Sequence, residues 1–294
     1  MIRRLRSWHL MVTFRMANFP LDAALEGFAQ EVNQPDAKIN LARAALVMGR
    51  FEYPDLDVSG YLDKLDRLAE AAGWAIRSAE LPALMLAQFL FDTLGFTGNA
   101  RHYTDPRNSF LNEVLERRLG IPISLSVLFL EVAQRTGIRA DGVGLPGHFI
   151  VRVVLDSGQV IYLDPFHGGA ILSEEDCRER VRSITEGKLP FHAAFLNPVG
   201  ARYILMRMLN NLKNFYAAAN DFYRAAKVVE RLLILNPDDL SEVRNLGLLY
   251  GSLGRRREAV ALLEAYLQGR PDAPDADTIQ RYLSALSSEV SRWN

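Results

Sequence analysis

Apolar residues follow three successive patterns along the chain, and each pattern predicts a kind of element. Residues from about 20 to 100 show helical stripes, such as the one that contains Phe28 and Val32. Residues 148–164 alternate between two rows, which is typical of strands with one buried face. Helical spacing returns towards the C-terminus. The pattern therefore predicts an α+β protein with a small antiparallel sheet between two helical regions.

A β-hairpin is predicted within residues 148–164. Asp156-Ser157-Gly158 suits a three-residue turn with glycine in the left-handed position. This turn length places Ile150 opposite Asp164, so His148 and Asp164 become diagonal neighbours on one face. A turn of two or four residues would place them on opposite faces. The turn chemistry therefore favours a His–Asp pair.

The predicted pair has two interpretations. A histidine held by an aspartate supplies the base and the orienting group of a catalytic triad, with the nucleophile still missing. Alternatively, His148 is a structural histidine and Asp164 is a turn residue before Pro165.

An amphipathic helix is predicted immediately before the strand that carries His148. Pro122 opens this segment, Ser124 is a suitable N-cap, and Gly137 ends the helix. Its apolar stripe consists of Leu125, Leu128, Phe129 and Val132.

The C-terminal region contains a sequence repeat. Asn236-Pro237 recurs as Arg270-Pro271, 34 residues later, and this is the period of the tetratricopeptide (TPR) helix–turn–helix unit. Two units are fewer than a solenoid needs, so we expect them to pack on the core or to use 278–290 as a capping helix. Such units form either a structural stack or a surface for a protein or peptide partner.

Composition narrows the function classes. The chain has 294 residues and a net charge of −1, which gives no electrostatic argument for a nucleic-acid or membrane partner. Its one cysteine, Cys177, excludes an intramolecular disulfide and a thiolate metal cluster and fits a reducing compartment, so we expect a cytoplasmic protein. We expect residues 1–19 to be a disordered or over-extended N-terminus, with Met11 or Met16 as alternative starts, and no signal peptide.

Three motifs in order resemble a known family. They are DPRNSFLNEVLERRLGIPISLSVLFLEV, GVGLPGHFIVRV and LDPFHGG. Together they resemble the transglutaminase-like proteins of the SirB type, which combine a helical N-terminal region, a transglutaminase-like core and a TPR tail. The likeness covers about Ala37 to Pro271. It implies a papain-like core in which the N-terminus of a helix packs against a sheet bearing His and Asp.

The resemblance also implies where a nucleophile would lie. In active relatives a cysteine stands at that helix N-terminus, where the helix dipole lowers the thiol pKa. His148 and Asp164 match the other two triad positions, but Pro122 stands near the cysteine position and Ser124 follows two residues later. We therefore expect a non-catalytic regulatory or protein-binding protein without a cofactor.

Two alternatives remain open. In the first, the chain is an acyl-transfer or hydrolytic enzyme in which Ser124 or Ser126 is the hydroxyl nucleophile and His148 is the base. In the second, a metal ion binds at His148, Asp164, His167 and His102, although no tight ligand spacing in the sequence supports such a site.

Further residues and boundaries complete the prediction. The candidates for lining the cleft are Asn108, Arg107 and Arg152, unless they act only in salt bridges and capping. The predicted segments are 1–19 (N-terminus), 20–100 (helical), 101–198 (core) and 199–294 (TPR). The sequence leaves the oligomeric state open.

Overall fold

The computed structural model describes residues 22–292, with side chains up to residue 287. Segment 1–19, with Met11 and Met16, thus lies outside the described residues. The described residues divide into two compact units, one from Glu31 to Met208 and a second made from residues 22–30 with residues 209–292. The four-segment division remains a prediction.

Twelve α-helices lie in the described part of the chain. They are α1 (Ala23–Val32), α2 (Leu41–Met48), α3 (Val58–Ile76), α4 (Pro82–Ala87), α5 (Leu111–Arg117), α6 (Pro122–Arg135), α7 (Glu174–Ile184), α8 (Ala201–Ala218), α9 (Phe222–Leu235), α10 (Leu240–Ser252), α11 (Arg256–Gly269) and α12 (Ala276–Arg292). None of the helices described is long and apolar enough to cross a membrane.

The strands form a short parallel pair and one five-stranded antiparallel sheet. The pair is β1 (Thr97–Gly98) with β2 (Leu119–Gly120). The sheet contains β3 (Ala140–Val143), β4 (Ile150–Val154), β5 (Val160–Asp164), β6 (Ala170–Leu172) and β7 (Pro198–Val199), in the order β6-β5-β4-β3-β7. The predicted α+β class is confirmed.

The β4–β5 hairpin has the predicted register. Val151 lies opposite Leu163, and the Leu155 N–H donates to the Gln159 carbonyl at 2.9 Å. Gly158 adopts a φ of +84°, the left-handed conformation that the predicted turn requires.

Both faces of the sheet are covered. On one face, Ile150 and Leu172 pack with Cys177 and Val181 of α7 in a buried cluster. The other row of β4 is also buried, and α6 packs against β3 and β4. The hairpin is therefore fixed between two helices, which immobilises the residues at its open end.

Helix α6 begins differently from the prediction. Ile121 is its N-cap and Pro122 its first residue, so Ser124 is the third helical residue and not the cap. Proline is favoured at the first position because its fixed φ is helical and its missing N–H would have no helical partner there.

The tail consists of consecutively packed helices. Helices α9, α10, α11 and α12 each pack against the next around a shared apolar cluster. Ile279, Leu283 and Leu286 of α12 are buried in this cluster. The predicted capping helix is therefore present, and it covers the apolar surface that the second repeat would otherwise expose.

Candidate functional site

The main chain fixes His148 two residues before β4. Its N–H donates to the Leu145 carbonyl at 3.1 Å, and its carbonyl accepts from Arg207 Nη2 at 3.2 Å. The preceding Gly147 has a φ of +72°, and a Cβ there would lie 2.3 Å from Ile184 Cγ2. Glycine is therefore required both for the backbone conformation and for the close approach of α7.

Asp164 ends β5 and caps the 3-10 turn Pro165–His167. Its Oδ1 accepts the Phe166 N–H at 3.1 Å, which is the capping bond expected of aspartate at the start of a helical turn. Its side chain is fully buried.

The His148–Asp164 pair forms as the turn predicts. His148 Nε2 lies 2.9 Å from Asp164 Oδ2, and the imidazole is only 6% exposed. The prediction that the two side chains share one face is confirmed. Whether either residue is catalytic remains a prediction.

Two more donors converge on the same oxygen. His167 Nδ1 lies 2.9 Å from Asp164 Oδ2, and Arg180 Nη1 of α7 lies 2.7 Å from it. Sequence reasoning named His167 only as an alternative metal ligand and missed Arg180. A signal existed, because Arg180 follows Cys177 by three residues and so lies on the helical face that covers the sheet.

These donors keep Asp164 ionised. Burial raises the pKa of its carboxyl, but the hydrogen bonds of His148 and His167 and the charge of Arg180 outweigh burial and hold the pKa below its usual value. An ionised carboxylate only accepts hydrogen bonds, so His148 Nε2 is the donor in this contact. Within residues 22–287 no hydrogen bond involves His148 Nδ1, and the side chain is 6% exposed.

The structure does not bring the serine hydroxyls to this pair. Ser124 Oγ donates to the Asn108 carbonyl at 2.6 Å and accepts the Ile121 N–H at 3.0 Å. Ser126 Oγ donates to the Pro122 carbonyl at 2.8 Å. Among the described residues, neither hydroxyl is hydrogen-bonded to His148. These three hydrogen bonds hold the start of α6 in place.

Asn108 lies in the interior and forms local contacts. Its Nδ2 donates to the His102 carbonyl at 2.7 Å, and its Oδ1 accepts from Asn99 Nδ2 at 3.0 Å. These bonds hold the segment that precedes α5 in place.

The two candidate arginines form ion pairs. Arg107 Nη2 lies 2.9 Å from Asp105 Oδ2, and Arg152 Nη1 lies 2.9 Å from Asp141 Oδ2 on the neighbouring strand. These ion pairs explain the positions of both arginine side chains, and no bound ligand is needed to explain them. Their place in a cleft remains a prediction.

The only thiol of the chain is inert where it lies. Cys177 is fully buried under the sheet, and burial raises the pKa of its thiol to about 11. The thiol therefore stays protonated and shielded at neutral pH.

An aromatic rim, which sequence reasoning missed, borders the pair. The Phe166 ring makes edge-to-face contacts with His148 and Tyr103, with centroid separations of 6.4 and 6.0 Å. Tyr103 is 39% exposed, so one side of the rim faces solvent.

Two protein-family profiles match consecutive parts of the chain. Residues 59–210 match the profile described as the transglutaminase-like superfamily. The chain belongs to this superfamily. Residues 212–284 of the transglutaminase-like chain match the tetratricopeptide repeat profile, which confirms the repeat predicted from the 34-residue period.

Two bacterial relatives align over most of the chain. This transglutaminase-like chain is 43% identical over 260 residues to a UPF0162 protein of Xylella fastidiosa (strain 9a5c), a match that covers 86% of the chain and 92% of the relative. It is 24% identical over 240 residues to protein SirB1 of Salmonella typhimurium, covering 82% and 89%. The SirB-type resemblance is therefore confirmed.

A shorter match involves a eukaryotic protein. Human F-box only protein 21 is 34% identical over 131 residues, which cover 42% of this chain and 20% of that protein. No solved structure gives a significant match.

Proposed function

We propose that this chain is a regulatory, protein-binding protein whose transglutaminase-like core is a pseudoenzyme. The observation that carries the proposal is the engagement of Ser124 Oγ by the Asn108 carbonyl and the Ile121 main chain. The hydroxyl nearest to the expected nucleophile position thus stabilises the start of α6. A serine acts as a nucleophile only when a base removes its proton, and this requires close contact with the base.

Two further observations support a core without a nucleophile. Cys177 is fully buried and has a raised thiol pKa. Pro122 stands at the first position of α6 and has no N–H, which removes one donor that could stabilise an oxyanion at a helix start. In this proposal the His148–Asp164 pair shapes the site and does not activate a side chain.

The TPR tail supplies the binding activity in this proposal. The repeat match at residues 212–284 supports a protein or peptide partner. We place the protein in the cytoplasm, because a chain with a single cysteine cannot form the internal disulfides common in oxidising compartments.

Site-specific photo-crosslinking in the native cell tests this proposal. A photoreactive residue replaces exposed Tyr223 or Ser252 of the tail, and a matched control replaces Trp74, which is exposed outside the tail. We expect a discrete adduct from a tail position, none from Trp74, and the same adduct when His148→Ala is added. An adduct that disappears with His148→Ala would contradict the proposal, as would the absence of any tail adduct.

A further inference from the structure

We propose that His148, Asp164 and His167 form a binding site for a divalent transition-metal ion such as zinc, with Arg180 as a displaceable competitor. This inference goes beyond the proposed function and does not depend on it. A core that binds no partner protein could still hold the ion.

The three donor atoms lie close enough to share one ion. His148 Nε2, Asp164 Oδ2 and His167 Nδ1 all lie within 4.8 Å of one another, and each imidazole nitrogen lies 2.9 Å from the carboxylate oxygen. Tetrahedral zinc with bonds of about 2.0–2.1 Å places neighbouring ligand atoms ~3.3 Å apart. Small side-chain shifts therefore suffice. His102, the fourth ligand considered from the sequence, is not in this group.

Each ligand is available in the form that metals bind. Asp164 Oδ2 faces His148, His167 and Arg180, and this oxygen is the ligand atom that the carboxylate offers. Each histidine binds as a neutral imidazole if its proton moves to the other ring nitrogen. His148 Nδ1 has no hydrogen-bond partner within residues 22–287, the His148 side chain is 6% exposed, and the His167 side chain is 50% exposed. In each ring the nitrogen that does not face the ion is therefore available to carry the proton.

The neighbouring contacts orient the carboxylate. Phe166 N–H binds Asp164 Oδ1 at 3.1 Å, which leaves Oδ2 directed at the two histidines. Bonds of this kind, from groups that do not touch the ion, position the ligands of protein metal sites. Two imidazoles and one carboxylate favour zinc, iron or copper over magnesium and calcium, which prefer oxygen-only sites.

Arg180 takes the place of a cation in this cluster. Its Nη1 lies 2.7 Å from Asp164 Oδ2 and 2.9 Å from His167 Nδ1, so the positive charge contacts two of the three atoms proposed to bind the ion. The side chain is 24% exposed, and its buried Nε has no hydrogen-bond partner among the described residues. Displacing the guanidinium therefore breaks no hydrogen bond at Nε, and an incoming ion competes with its contacts to Asp164 and His167.

Cobalt and zinc titrations of the full chain test the inference. The protein is stripped with a chelator, Co²⁺ binding is followed by its visible absorption, and Zn²⁺ is added to displace Co²⁺. The variants are His167→Ala, His148→Ala and Arg180→Met, with His102→Ala as the matched control. Circular dichroism checks that each variant is folded. If His148→Ala does not fold, the His167→Ala variant still tests the site, because the His167 side chain is half-exposed and its removal should not unfold the chain.

We expect one ion per chain in the wild type. His167→Ala and His148→Ala should bind the ion at least ~10-fold more weakly, because loss of a residue that merely orients a ligand already costs about 10–100-fold. We expect Arg180→Met to bind at least ~10-fold more tightly than the wild type, because the competing charge is gone. His102→Ala should bind as the wild type does. Three results would overturn the inference: no binding by wild type and Arg180→Met, affinity unchanged in His167→Ala, or no gain in Arg180→Met.

Discussion

The Asp164 carboxylate lies 2.9 Å from the imidazole of His148, the residue two positions before β4, and the same oxygen accepts from Arg180 at 2.7 Å. This fully buried carboxylate is therefore the common acceptor of the segment before β4, the turn after β5 and helix α7. Its role in holding the core together can be measured separately from any role in chemistry.

Asp164→Ala should destabilise the protein by about 3–5 kcal/mol, because it leaves buried donors without their acceptor. Urea denaturation measures the free energy of unfolding. The control Glu179→Ala removes an exposed carboxylate of α7 that pairs with Arg182 at 3.5 Å, and we expect a change below about 0.5 kcal/mol. Equal effects of the two substitutions would contradict this account.

The stabilising effect of Asp164 should depend on pH in the acid range. The folded-state pKa of Asp164 lies below its usual value, so the carboxylate contributes its full stability above an unfolded-state pKa near ~3.9 and loses it as pH falls through the folded-state value. The stability difference between wild type and Asp164→Asn should therefore shrink below about pH 4. A difference that is constant or grows as pH falls would refute this assignment.

Cys177 should resist thiol reagents in the folded protein. The thiol is fully buried, so a reagent cannot easily reach it. Its pKa is raised to about 11, so little of it is in the reactive thiolate form at neutral pH. An aromatic disulfide reagent should label Cys177 only after denaturation, as mass spectrometry can establish. Rapid stoichiometric labelling of the native chain would show that the thiol is accessible.

The TPR tail offers a paired glycine test. A Cβ at Gly247 would lie 2.8 Å from Leu263 Cδ2 inside the tail, whereas a Cβ at Gly73 of α3 meets no atom within 4 Å. Gly247→Ala should cost about 1–3 kcal/mol through overpacking, whereas Gly73→Ala should stabilise the chain by about 0.5–1 kcal/mol. Thermal denaturation compares the two, and a stabilising Gly247→Ala would contradict the packing described for α10 and α11.

The hairpin could be derived from sequence because its determinants are local. Gly158 and a three-residue turn fix the register, and the register alone places His148 and Asp164 on one face. The 34-residue period predicted the tail in the same way, because each repeat carries its own packing pattern.

The rest of the site depends on tertiary contacts that no local pattern encodes. Arg180 reaches Asp164 only because α7 covers the sheet. Ser124 has the residue type of an N-cap, but Pro122 starts α6 earlier, and the Asn108 carbonyl that Ser124 binds belongs to a distant turn. The partner of such a hydroxyl decides its role, and that partner is visible only in the fold.

The most direct test of the central claim, that the core has no nucleophile, is acyl transfer by the purified full chain. Amine donors with glutamine peptides, and separately acyl esters, should give no turnover above that of His148→Ala, because the Ser124 hydroxyl donates its proton to the Asn108 carbonyl and Cys177 is buried. Ester turnover lost with His148→Ala and Ser124→Ala, but kept in Cys177→Ala, would contradict the claim in favour of a serine enzyme. Turnover lost with both His148→Ala and Cys177→Ala would contradict it in favour of a thiol enzyme.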